Sequence, residues 1–380
     1  MTRFTDRLKI MKSAFSRQVL GYATVPATAF IEVNYDCMLR CKMCQLWTAD
    51  FKKERIGSRK ILSLVEIKNV IDQYALAGVK NIFFIGGEPF SRKDLLDIIA
   101  YGKDRRMTCM TVSNGYLIRE DLADRIVRSG LDLLAISIDG PDSETHDRVR
   151  GVEGAFDHAV KAIQRVNARK KELNADLPLI AIACTVSSNN FRNLPYMVDL
   201  AMSLDVRQLR FQYISVIGMD TVEQTNRMMG GDVVGKHNFV GIPPSYLVPK
   251  DEIVKLDEVL EEVRKRAGTE VECYLDPAFV TGDTRHLEEG TFPVWDCKEP
   301  WSRAYMTPTG DFMPCPMFPG YNMGNIRNNS FLEIWNSRRA RDMRKRLSRG
   351  LPPICRKCCV VHSGNESTWK KLYRKLYPKG

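Results

Sequence analysis

Between residues 29 and 214 the chain repeats one unit: a short, almost uninterrupted apolar run, followed by a stretch with helical apolar spacing. The runs are "AFIEVNY" (29–35), "NIFFIG" (81–86), "MTCMTVS" (107–113), "DLLAISI" (132–138), "LIAIACTV" (179–186) and "VRQLRFQYI" (206–214). Between them the spacing predicts helices at 63–78, 92–104, 119–130, 154–173 and 192–204. Apolar strands joined by helices form a parallel sheet covered by helices, and right-handed crossovers wind it in one direction. Six units predict an α/β fold, a partial (β/α)6 TIM-like barrel whose reactive end lies where the strands finish. The 380 residues, 44% of them hydrophobic, suffice for such a core and an added domain.

Four polar or cysteine-rich turns lie at that end. "CMLRCKMC" (37–44) follows the first strand, "GGEP" (86–89) the second, "SNG" (113–115) the third and "SIDG" (137–140) the fourth. All four therefore converge on one mouth. Three thiols spaced C-x3-C-x2-C suit three irons of a 4Fe–4S cube, since thiolates are the usual ligands of such clusters. The fourth iron is then left open to a small molecule. A zinc ion sharing a remote fourth cysteine would use the same ligand type, and spacing alone leaves that alternative open.

The chain has eleven cysteines, an odd number and clustered, with no secretory signal and no apolar stretch long enough to span a bilayer. This points to a reducing, cytoplasmic setting and bound metal. Cys109, Cys184 and Cys273 fall within strands and are expected to be packing thiols. The formal charge is +11, and seven Lys/Arg stand against Asp342 between Arg338 and Arg349, a stretch expected to be a solvated helix face. No interleaved aromatic and basic motif of an RNA binder occurs, so no nucleic acid is expected.

On "CMLRCKMC", "GGEP", "SNG" and "SIDGPDSETHDRVRG" (137–151) the sequence resembles the radical S-adenosylmethionine superfamily, from about Ala29 to Tyr213 and again from Cys297 to Cys358. The resemblance implies a cluster on Cys37, Cys41 and Cys44, with S-adenosylmethionine chelating the open iron. One electron then cleaves it to methionine and a 5'-deoxyadenosyl radical, which takes a hydrogen atom from an unactivated carbon. It assigns Gly86, Gly87 and Glu88 to the methionine amino group, and Asn114 and Ser137 to the ribose or carboxylate. Arg150 is suited to the carboxylate. Met43 stands where the family usually has an aromatic, a soft thioether near the adenine. Asp139 is the candidate substrate contact. A flavodoxin or ferredoxin would supply the electron.

Toward the C-terminus, "CKEPWSRAYMTPTGDFMPC" has the form C-x12-G-x4-C, and "CRKC" follows at 355–358. This looks like the SPASM extension of radical enzymes and implies one auxiliary cluster, hence two 4Fe–4S clusters in all. Cys297, Cys315, Cys355 and Cys358 are its expected ligands, with Cys359 a competitor and a zinc knuckle the alternative. The expected domains are an N-terminal basic amphipathic helix (1–28), the barrel (29–267, with an insertion or lid at 214–250), a connection (268–296), the auxiliary domain (297–361) and a basic aromatic tail (362–380). His237 and His362 are expected to be structural or solvated.

Phe4, Leu8, Met11 and Phe15 fall on one helical face among basic residues, as do Trp369, Leu372, Tyr373, Leu376 and Tyr377. Such stripes suit either packing on the domain or peripheral contact with the inner face of a membrane. Fewer than thirty residues precede the first strand, which leaves no room for an N-terminal peptide-recognition domain. The expected substrate is therefore a lipid or small anionic metabolite. A peptide or protein side chain is the alternative, and an iron-sulfur RNA-binding or electron-transfer protein a third.

Overall fold

The computed structural model describes residues 21–235, 239–275, 285–292, 294 and 296–359. The six expected strands are β1 (Thr28–Glu32), β2 (Asn81–Ile85), β3 (Thr108–Ser113), β4 (Leu133–Ser137), β5 (Leu179–Val186) and β6 (Gln208–Tyr213). They pair in chain order and all in parallel. The five expected helices appear as Leu64–Ala77, Leu95–Asp104, Glu120–Arg128, Ala155–Leu173 and Leu194–Ser203.

Local chemistry sets their ends. Ser63 and Glu66 form a reciprocal capping box before Leu64, and Gly78 closes the same helix in the left-handed region. Ile67, Val70, Ile71 and Tyr74 on that helix are buried, each apolar side chain contributing about 1.5–3 kcal/mol. Alternate strand residues such as Ile31, Ile82, Phe84, Leu134 and Ile182 join this main core.

The opposite face of the strands carries a separate, small apolar cluster of Leu133, Ala135 and Ala181, with Met110, Val112 and Ala183 against it. Phe30 stacks on Phe83 and Tyr305 with ring centroids 5.4 and 4.7 Å apart. Over β4 and β5 this inner face carries the small side chains Ala135, Ala181 and Ala183.

Four strands extend the sheet beyond six. β7 (Glu272–Leu275) pairs in parallel with β6, and β8 (Arg303–Met306) pairs in parallel with β1. β9 (Asp311–Met313) and β10 (Gly324–Asn325) continue from β8 in antiparallel fashion. The result is one ten-stranded sheet, ordered β10-β9-β8-β1-β2-β3-β4-β5-β6-β7. The cysteine-rich region thus shares a sheet with the barrel, and β7 ties the 268–296 stretch into it.

The 214–250 stretch, expected to be an insertion or long loop, contains the helix Met219–Met229. Its buried face is Thr221, Val222, Thr225 and Met229, half of it hydroxyl-bearing, which is why apolar spacing does not reveal it. Thr225 Oγ1 accepts the Ile354 N–H at 3.1 Å, so this helix braces the C-terminal cysteines. Two further helices, Ala49–Arg55 and Ser143–Arg150, are also absent from the sequence reading because both are short and strongly charged.

The basic stretch is the helix Arg338–Arg349, but it is not solvated all round. Arg344 is buried, donating to Pro300 O at 2.7 Å and Asn336 Oδ1 at 2.9 Å over the Trp335 ring. Burial without a carboxylate lowers its pKa to about 9. Both terminal stretches, His237 and His362 lie outside the described residues. No described helix is long and apolar enough to cross a membrane.

Candidate active site at the strand ends

The loop after β1 is held by its neighbours through main-chain bonds. Gly87 N–H donates to Asn34 O at 3.0 Å, and Glu88 N–H donates to Asp36 O at 2.6 Å. These approaches require glycine. A Cβ on Gly86 would lie 2.3 Å from Asn34 O, and one on Gly87 2.3 Å from Asp36 O, both on backbone that cannot swing aside. The paired glycines therefore position the strand leading into the cysteine loop, beside whatever else they contact.

Glu88 is the second fastening. It is 1% exposed, and its carboxylate accepts Ser113 Oγ–H at 2.9 Å, Asn114 N–H at 2.8 Å and Phe90 N–H at 3.0 Å. Burial outweighs these bonds and raises its pKa to about 7. The carboxylate thus joins the second turn to the third, and both oxygens are engaged within the protein. Asn114 continues the chain of contacts, its amide donating to Cys37 Sγ at 3.6 Å and Met38 Sδ at 3.3 Å.

Cys41 is buried, while Cys37 and Cys44 are half-buried. Burial raises all three thiols, Cys44 to about 12, and each is raised further by neighbouring charge, Cys37 by Cys41 and Glu88, Cys44 by Cys41 and Cys37, and Cys41 by Asp139. The opposing influences are backbone N–H, Leu39 toward Cys37 and Leu46 toward Cys44, and the Arg150 guanidinium, which favours the charged form of all three. A dry site that penalises free thiolates yet aims amides at them fits sulfurs whose charge is shared with bound metal. Met43, between them, is buried as well.

The fourth turn approaches from the helix Ser143–Arg150. Arg150 Nε pairs with Asp139 Oδ2 at 2.7 Å, and its Nη1 lies 4.0 Å from Cys41 Sγ. Asp139, offered by the sequence as a substrate contact, is fully buried against Arg150 and the Thr185 N–H. Ser137 ends β4 in register with Ala183 of β5, on the inner face above Ala135 and Ala181. The fold thus brings Cys37, Cys41, Cys44, Gly86, Gly87, Glu88, Asn114, Asp139 and Arg150 into one contiguous group. Its supports Ser113, His146, Thr185 and Asn190 carried no signal apart from Ser113 lying in "SNG".

The second cysteine set converges too. Cys315 is influenced by Cys297 and Cys355, and Cys358 by Cys359 first and then by Cys315, Cys297 and Cys355, both raised chiefly by burial. Glu299 N–H faces Cys297 and Met317 N–H faces Cys315, repeating the amide arrangement of the first set. Cys359 turns another way: Gln212 of β6 donates to its sulfur at 3.2 Å, and its own N–H donates to Ser215 Oγ at 3.0 Å. None of the eleven cysteines forms a disulfide. Among the described residues no three metal-ligating side chains sit at the spacing of a lone metal ion.

A cavity of about 590 Å³ opens elsewhere, at the N-terminal ends of β5–β7, lined by Lys170, Asp205, Arg207 and Glu272 among others. It lies at the other end of the strands from the Cys37–Cys41–Cys44 loop.

Comparison with known proteins agrees with this geometry. The family model described as the radical SAM superfamily matches residues 31–179, and that described as an iron-sulfur cluster-binding domain, SPASM, matches residues 297–359. An AdoMet-dependent heme synthase of Nitratidesulfovibrio vulgaris is 28% identical over 325 residues, 80% of this chain and 77% of that protein. A PqqA peptide cyclase of Granulibacter bethesdensis is 24% identical over 339 residues, 88% and 79% of the two chains. Among solved structures, Streptococcus suis SuiB bound to its precursor peptide SuiA superposes with a TM-score of 0.65 at 14% identity, covering 89% of this chain and 71% of that one, a likeness of fold. The chain belongs to the radical SAM superfamily, as an enzyme that binds S-adenosylmethionine and iron-sulfur centres and carries a SPASM domain.

Proposed function

We propose that this enzyme modifies a side chain of a peptide or protein by hydrogen-atom abstraction, with one 4Fe–4S cluster on Cys37, Cys41 and Cys44 and a second on Cys297, Cys315, Cys355 and Cys358. The first cluster, with S-adenosylmethionine bound, supplies a 5'-deoxyadenosyl radical. The chain's own residues do the rest. Gly86 and Gly87 let the backbone close on the cysteine loop, Glu88 locks the second and third turns together, and Ser137 stands at the rim as a hydroxyl for the cofactor. Below that rim the small side chains of Ala135, Ala181 and Ala183 line the inner face against which a substrate side chain would lie.

The observation that carries this reading is the similarity, over 88% of the chain, to a protein named as a PqqA peptide cyclase. A small anionic metabolite is the second reading, favoured by the similarity to a heme synthase. The lipid reading rested on the terminal amphipathic stretches, which lie outside the described residues.

The test is a protease comparison. Reduced holoenzyme and S-adenosylmethionine are incubated with the low-mass fraction of a cell extract, and 5'-deoxyadenosine release is measured. Stimulation above the extract-free rate that disappears after protease digestion of the fraction is expected. Stimulation that survives digestion overturns the peptide reading in favour of a metabolite.

A further inference from the structure

Asp139 and Arg150 form an ion pair that is dry at both ends, with side chains 0% and 11% exposed. The position of Asp139 is over-determined. Its Oδ1 accepts the Thr185 N–H at 2.8 Å, its N–H donates to His146 Nδ1 at 3.1 Å, and its carbonyl accepts the Asn190 amide at 2.8 Å. Three elements therefore fix a carboxylate that reaches no substrate space. What it does reach is the Nε of Arg150.

Arg150 is in turn clamped to the cysteine loop. Its carbonyl accepts the Arg40 N–H at 3.2 Å, and at the next residue Gly151, with φ +71°, a Cβ would lie 2.5 Å from Arg40 O. With Nε held by Asp139, Nη1 is left pointing at Cys41 Sγ, 4.0 Å away. Arg150 and Asp139 are the charged groups acting on the Cys41 thiol, and they act in opposite senses: the cation favours negative charge on sulfur, and the carboxylate opposes it. His146 adds no charge, because burial lowers its pKa to about 3.

We propose that Asp139 is a positioning residue for the cluster on Cys41: it aims Arg150 at the ligating sulfur, and the pair together sets how readily that cluster is reduced. Reduction adds negative charge to the cluster and its thiolates. A cation or N–H donor beside the sulfur stabilises the reduced state, and a nearby carboxylate destabilises it. The inference rests on the iron-sulfur assignment of Cys37, Cys41 and Cys44 and not on the peptide reading, so the two can fail separately.

The test is an electrochemical titration of the anaerobic holoenzyme without substrate, followed by electron paramagnetic resonance. Arg150→Met is expected to lower the reduced-to-oxidised ratio at fixed potential about tenfold, or about 59 mV for a one-electron couple. Asp139→Asn, whose amide oxygen can still accept the Arg150 Nε–H and so keeps the aim while removing the negative charge, is expected to shift it the opposite way, and the double variant to fall between the two. Arg150→Lys keeps the charge and is expected to stay within about threefold of the unaltered enzyme. Shifts of the same sign in the two single variants, or none in either with the cluster signal intact, would overturn the proposal. So would a Lys variant as low as the Met variant.

Discussion

Replacing Glu88 by glutamine tests the electrostatic account of the mouth. The carboxylate is 1% exposed and its pKa is raised by burial from 4.5 to about 7, against the pull of three hydrogen-bond donors. A folded pKa above the unfolded one means that folding takes up a proton. The stability this contributes is whole below about pH 4.5 and is lost as the pH rises through about 7. At about 1.36 kcal/mol per unit, the full swing is roughly 3 kcal/mol, most of it between pH 5 and pH 8. Glutamine carries no charge at any pH, so the variant should gain on the unaltered protein as the pH rises. Anaerobic thermal melts of both holoenzymes across that range measure the difference, in which any acid lability of the clusters cancels. At about 2 °C per kcal/mol, the gap in Tm should move by roughly 5 °C. A gap that stays constant to within ~1 °C would refute the claim that burial governs this carboxylate.

Two further outcomes are expected. Cys358→Ala should lose the iron bound by the C-terminal set while Cys359→Ala keeps it, since the Cys359 sulfur accepts the Gln212 amide whereas Cys358 lies among Cys297, Cys315 and Cys355 as well as Cys359; iron content and the electron paramagnetic resonance signal decide it, and equal losses would contradict the assignment. Tyr74→Phe should stabilise the protein by about 1 kcal/mol, because the Tyr74 hydroxyl is buried beside Phe331 with no hydrogen-bond partner; a lower melting temperature would show that the hydroxyl is satisfied.

The barrel strands and their helices were legible because each is a local pattern, with apolar runs and 3.6-residue spacing visible within a dozen residues. The cysteine loop was legible for the same reason: three thiols within eight residues are encoded contiguously. The Met219–Met229 helix was not, because threonines supply half its buried face and hide the period. Nor was the Arg344 clamp, since an arginine in a run of arginines carries no mark of being the one turned inward.

Sequence alone therefore narrowed the chemistry open to this protein: which cysteines are candidate iron ligands, which turns end strands, and that the turns share one end of a parallel sheet. Tertiary structure decided how those residues are used. The carboxylate of Glu88 faces Ser113 and Asn114, Asp139 is committed to Arg150, and Cys359 is turned toward Gln212 while Cys358 joins the other thiols. Each choice depends on a partner 11 to 147 positions away, brought within bonding reach by strand order and by β8 docking on β1. Spacing along the chain records what a side chain can do, whereas only the packing of distant segments fixes which partner it meets, because burial forces each polar group to find one.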